Sequence, residues 1–168
     1  MRTILFNLMV IPLLSSVCFT SQAQSGKGQE TKDQSSSLKS LMNSKNYIFH
    51  PLSATSMKGR TVQLTSEYYL RVNSDSLQVD LPYYGRSYST AYPANSDMGV
   101  KFNTVAFTYQ SDSSKNGGWE ISIKPKNESS ASMIYLSVSS SGYCTVRINS
   151  NNRNPITYYG NITGYESR

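Results

Sequence analysis

Apolar and polar residues alternate with period two along most of the chain beyond Tyr47. Tyr68, Leu70 and Val72 alternate with Tyr69, Arg71 and Asn73, and Leu77, Val79 and Leu81 with Gln78, Asp80 and Pro82. Successive side chains of a strand point to opposite faces, so each run predicts a strand with one buried face. Asn73-Ser74-Asp75-Ser76 between them has turn chemistry, which makes the pair a hairpin. Val100 and Phe102 follow, then Val105, Phe107 and Tyr109. Asn116-Gly117-Gly118 turns the chain, because these residues tolerate the positive φ of a tight hairpin. Trp119, Ile121 and Ile123 return. Ile134, Leu136 and Val138 run into Ser140-Ser141-Gly142, and Cys144, Val146 and Ile148 leave it. Asn151 to Pro155 turns once more before Ile156, Tyr158 and Ile162.

About eight or nine short strands result, with turns every ten or so residues. The prediction is all-β: a single-domain antiparallel β-sandwich or half-open β-barrel. Helical spacing survives only at Leu38, Leu41 and Met42, which predicts a short N-terminal helix or tether. Residues 24–37 are rich in Ser, Gln, Gly and Lys, a linker composition expected to be disordered. The division expected is 1–23, 24–37, and one β-rich domain over 38–168.

The N-terminus has the pattern of a signal peptide. Arg2 precedes an apolar run from Ile4 to Leu14, and Ser21-Gln22-Ala23 offers small residues for cleavage after Ala23. The run is shorter than the roughly 20 residues a bilayer span needs. The mature chain is expected to be exported, with no transmembrane segment. Cys18 is a weak lipidation candidate, because Val17 stands where a small residue is wanted. After cleavage Cys144 is the one cysteine left, so no internal disulfide supports the fold.

Sixteen Lys+Arg against ten Asp+Glu give a net charge of +6. The basic residues are scattered among acids, and the chain is expected to be exported, so nucleic acid is not the expected partner. An envelope glycan, a peptide or an anionic polymer fits a mild positive charge better.

Catalytic and metal-binding patterns are sparse. His50, the lone histidine, precedes Pro51 and reads as an extended strand-edge residue. One His and one mature Cys cannot build a zinc site. Asp97 and Asp112 lack the spacing of a calcium loop and read as turn residues. A glycosidase-type pair could be drawn from Glu67, Asp75, Asp80, Asp97 and Glu120, but solvated acids are the commoner case. Cys144 shares the apolar side of its strand with Val146 and Ile148 and reads as inert. No cofactor or metal is expected, and the balance leans away from an enzyme.

The densest chemistry lies in Leu81-Pro82-Tyr83-Tyr84-Gly85-Arg86-Ser87-Tyr88, which runs on through Tyr92-Pro93. Two readings stand. Tyr83, Tyr84, Arg86, Tyr88 and Tyr92 could form a ligand-binding surface, with rings for stacking and a guanidinium for an acid or phosphate. Alternatively the loop is a structural corner. Gly85 would then hold a backbone shape other residues resist, and Arg86 would bond loop carbonyls, Asp80 or Asp97.

Three segments together resemble a known family. They are Gly59-Arg60 with Leu64-Thr65-Ser66 and Tyr68-Tyr69-Leu70; Asp75-Ser76-Leu77 to Leu81-Pro82-Tyr83-Tyr84-Gly85-Arg86, Tyr92 and Gly99-Val100-Lys101-Phe102; and Trp119-Glu120-Ile121, Ser141-Gly142-Tyr143-Cys144, Asn152-Arg153 and Ile156-Thr157-Tyr158-Tyr159-Gly160. They resemble the bacterial proteins catalogued as domain of unknown function 4251 (DUF4251) over about residues 38–165. Tyr84 stands where the resemblance would put phenylalanine. The resemblance implies an exported protein of a Gram-negative bacterium, expected in the periplasm or cell envelope, with one β-rich domain, and implies no activity. The leading expectation is a non-enzymatic binding or accessory module. The alternatives are a carboxylate-dependent hydrolase of envelope glycans, and an assembly protein using an exposed sheet edge such as Ile156 to Ile162.

Overall fold

A computed structural model describes residues 37–86, 99–114, 117–127 and 130–165. The expected cleavage site, residues 24–36, Cys18, Tyr88, Tyr92 and Asp97 lie outside the described residues. One short helix, α1 (37–44), precedes ten strands. They are β1 (Tyr47–Ser56), β2 (Thr61–Gln63), β3 (Tyr69–Val72), β4 (Leu77–Leu81) and β5 (Val100–Thr104). Then follow β6 (Phe107–Ser113), β7 (Trp119–Pro125), β8 (Met133–Val138), β9 (Tyr143–Asn149) and β10 (Ile156–Gly164).

All ten strands join one antiparallel sheet in the order β5-β4-β3-β1-β10-β9-β8-β7-β6, with β2 paired to β1. Most neighbours are joined by hairpins, as the turn chemistry predicts. Gly117 and Gly142 supply the positive φ, at 76° and 84°. The pairing most distant in sequence is β1 with β10, which sets Tyr47 against Gly164 and Ser56 against Ile156. This pairing bends the meander into a ring.

The two ends of the ladder, β5 and β6, are separated by Val105 and Ala106 alone. Alternating direction around the sheet makes these two strands run the same way. They act as one long strand bent at Val105–Ala106, whose first half pairs with β4 and second half with β7. The sheet is thus a nearly closed barrel of eight strand positions, and an even number is what antiparallel closure requires. Of the sandwich and barrel alternatives, the barrel is the one observed.

An eight-position barrel is just wide enough for side chains to fill. Phe49, Leu70, Leu77, Leu81, Ile123, Ile134, Leu136, Ile148 and Tyr158 are all inward and essentially inaccessible. The helix closes one end, burying Leu38 and Met42 against this core. Beside it the Tyr47 and Tyr109 hydroxyls meet at 3.4 Å, linking β1 to β6 across the barrel. Burial raises the Tyr47 phenol pKa well above its usual range, and the neighbouring Tyr109 adds to the rise.

Three expectations need correction. Val105 is exposed, because the bend shifts the inward positions from Phe102 and Thr104 to Phe107 and Tyr109. The strand Ile156 to Ile162 is not an edge, since β10 is hydrogen-bonded to β1 and β9. Asp112 is not a turn residue; it lies within β6, opposite Glu120.

Gly160 marks where the ring is tightest. It pairs with Pro51, and a Cβ there would overlap the His50 carbonyl. Gly160→Ala is expected to destabilise the fold by at least about 2 kcal/mol, read as a lowered denaturation midpoint. An unchanged midpoint would show that the β1–β10 pairing tolerates a wider spacing.

Candidate functional site

At the barrel end opposite the helix, the chain leaves β4 through Pro82-Tyr83-Tyr84-Gly85-Arg86. The strand alternation stops at Leu81, and the two adjacent tyrosines part company. Tyr83 is 8% exposed and belongs to the core, whereas Tyr84 is 42% exposed.

Tyr83 turns back over its own loop. Its hydroxyl lies 2.8 Å from the Arg86 carbonyl and 3.0 Å from that of Asn154, and donates its one proton between them. The ring passes over Gly85, where a Cβ would overlap the phenol. Gly85 is therefore needed for close approach. The expected unusual backbone is not found, since Gly85 is not among the positive-φ residues.

The arginine that organises this corner is Arg153, from the β9–β10 connection. It is 5% exposed, and its guanidinium sits 5.1 Å from the Tyr83 ring centroid. A cation over an aromatic face is most strongly held when desolvated. Its Nη1 also donates to the Gly99 carbonyl at 3.1 Å, and the Asn154 N–H donates to the Arg86 carbonyl at 3.1 Å. Residues 153–154 thus grip both described flanks of the segment 87–98. Beneath them the Tyr158 hydroxyl donates to the Pro82 carbonyl at 2.7 Å. Burial pushes the Tyr158 phenol far above its usual pKa, so it remains a donor.

Arg86 takes part in this corner through its carbonyl, while its side chain is exposed. The expected Asp80 partner is instead 3.5 Å from Lys101, its cross-strand neighbour. Outside the corner, Tyr84, Gly85 and Arg86 face the β1–β2 turn. With Met57, Lys58, Arg60 and Asn154 they line a pocket of about 210 Å³. Among the described residues its lining includes three cationic side chains and no carboxylate.

The structure therefore divides the sequence-predicted site. Tyr83 is scaffold, and Tyr84 and Arg86 face solvent together. Lys58, Arg60 and Arg153 were missed as participants. Lys58-Gly59-Arg60, a charged turn, and the Asn152-Arg153 motif were the available signals.

The other candidates remain apart. His50 is exposed on β1, which is paired on both sides rather than at a sheet edge, and its Nε2 lies 3.1 Å from the Thr163 hydroxyl. Cys144 is buried; desolvation raises its thiol pKa strongly and the Glu120 carboxylate adds to this. Strand pairing sets neither Asp80 nor Glu120 opposite another of the five proposed acids. No cluster of three or more metal-ligating side chains occurs among the described residues. No helix among them is long and apolar enough to cross a membrane.

The division of the tyrosines has a measurable consequence. Tyr83→Phe is expected to cost about 1–2 kcal/mol, because two carbonyls lose a buried donor. Tyr84→Ala is expected to stay within about 0.5 kcal/mol, as exposed substitutions usually do. Equal losses in chemical denaturation would refute the division.

Known proteins share this architecture. The crystal structure of a DUF4251 family protein from Bacteroides eggerthii DSM 20697 superposes with a TM-score of 0.56 at 18% identity. The match covers 79% of this chain and 88% of that one, and establishes likeness of fold alone. No curated protein matches the chain. The model of the family described as "Domain of unknown function (DUF4251)" matches residues 29–162, and the chain belongs to that family.

Proposed function

We propose that the protein is an exported binding module of the cell envelope that takes an anionic glycan or polymer at the pocket beside Tyr84. The observation that carries this reading is the lining of that pocket. Lys58, Arg60 and Arg86 converge from two loops around an exposed tyrosine, and among the described residues none in the lining opposes their charge. Arginine forks match carboxylate and phosphate geometry, and the Tyr84 ring offers a flat surface for a sugar. The anchored corner beneath supplies rigidity. Arg86 is fixed at its carbonyl by Tyr83 and Asn154, so its side chain starts from an ordered backbone. Pre-ordering of this kind lowers the entropy lost on binding.

Export rests on the N-terminal pattern of Arg2, the Ile4–Leu14 run and Ser21-Gln22-Ala23. The exported protein is expected to begin at Gln24. N-terminal sequencing of the secreted form checks this, and retention of Met1 in a cytoplasmic fraction would remove the envelope from the reading.

Hydrolysis of envelope glycans has thinner support. Asp112 and Glu120 face each other across β6 and β7. A hydrolase needs a cleft enclosing both groups, whereas Asp112 is exposed on the terminal strand of the ladder and does not line the groove that Glu120 lines.

Binding is tested with hexagalacturonate as a carboxylate probe and inorganic polyphosphate as a phosphate probe. The triple variant Lys58→Ala, Arg60→Ala, Arg86→Ala is expected to lose at least about tenfold in affinity, or 1.4 kcal/mol. Its melting temperature should stay at the wild-type value. Binding by neither probe, or binding indifferent to the triple variant and to salt, would refute the anionic site.

A further inference from the structure

The outer wall of the barrel carries a second, chemically different groove, and we propose that it binds a neutral oligosaccharide chain. The groove has a volume of about 690 Å³, within the usual range for ligand sites. It runs across β1, β10, β9, β8 and β7. Strand register explains its composition. Ser53, Tyr159, Thr145, Ser137 and Glu120 stand opposite one another in a single outward-facing row. Four interstrand steps make this row roughly 19 Å long, the shape of a track for a chain rather than of a hole for one small molecule.

The row offers hydroxyls and flat rings. Tyr143 and Tyr159 are 67% and 47% exposed, and both line the groove. Large aromatic rings left in water on a sheet face are a surface in search of a partner. Tyrosine suits the C–H face of a pyranose, and the hydroxyls between the rings suit its hydroxyl groups. The irregularity in β1 between Pro51 and Ser53 turns Leu52 outward at the rim, 53% exposed. Bulges of this kind re-aim side chains beside binding sites.

Charge selects the ligand class. The chain is +6 overall, yet among the described residues the one charged side chain lining this groove is Glu120. Its carboxylate accepts a 2.6 Å hydrogen bond from the Ser137 hydroxyl, which holds it in place as an acceptor for a ligand hydroxyl. This fixed carboxylate disfavours an acidic polymer, so this groove and the cationic pocket at Tyr84 select different chemistry. Neither reading depends on the other.

The test is isothermal titration calorimetry of the full mature chain with cellohexaose, xylohexaose, mannohexaose and chitohexaose. At least one is expected to bind. Tyr143→Ala and Tyr159→Ala should each weaken that binding about tenfold, and Tyr143→Phe should retain most of it. Tyr84→Ala should leave it unchanged. Because Tyr143 is so exposed, its alanine variant is expected to melt with the wild type, which separates lost binding from lost folding. No heat with any of the four sugars would overturn the proposal. So would binding that survives the double tyrosine variant, or hexagalacturonate competing for the same site.

Discussion

The pairing of β1 with β10 is the contact on which the rest of the structure depends. Most other neighbours in the sheet are joined by short connections and pair locally. This one brings Tyr47–Ser56 against Ile156–Gly164, across the 99 residues of intervening chain from 57 to 155. Such a contact repays its loop-closure entropy only once the whole meander is in place. It also removes two edges at a stroke, which the sheet would otherwise expose to other chains. The fit is close at one point, where Gly160 lies against Pro51 and leaves no space for a side chain.

Ring closure also positions both candidate sites. Tyr158 belongs to β10, and its bond to Pro82 ties the closing strand to the β4 exit. Arg153, on the connection leading into β10, covers Tyr83 and holds Gly99. The corner is therefore built by the same segment that closes the barrel. On the outer wall, Tyr159 lies one residue further along β10 and faces the opposite way. One strand thus contributes an inward tyrosine to the scaffold and an outward tyrosine to the groove, as the two-residue period of a strand dictates.

Hairpins, strand faces and the helix were legible in the sequence because they are local. Leu70, Val72, Leu77, Val79 and Leu81 point inward as their alternation predicts. Leu38 and Met42 lie in the core as their helical spacing suggests. Ring closure was not legible, since period two says which face is buried and not which strands meet. Two breaks in parity hinted at it. Inward positions change from even to odd between Phe102 and Phe107, where the chain bends from β5 to β6. They change from odd to even between Pro51 and Ala54, where the β1 irregularity falls. Continuing the pattern through Val105 missed the first of these.

Composition draws attention to the tyrosine-rich loop, but composition cannot assign roles within it. Tyr83 and Tyr84 are chemically identical, and only the arrival of Arg153 and Asn154 from a distant turn makes one of them scaffold. The same blindness affected charge. Lysines and arginines looked scattered along the chain, yet Lys58, Arg60 and Arg86 converge because the β1–β2 turn and the β4 exit share one end of the barrel. Local pattern sets where side chains point; closure sets which of them meet. In this protein both candidate surfaces arise at the second step, so a reading from local pattern alone recovers their ingredients and not their partnership.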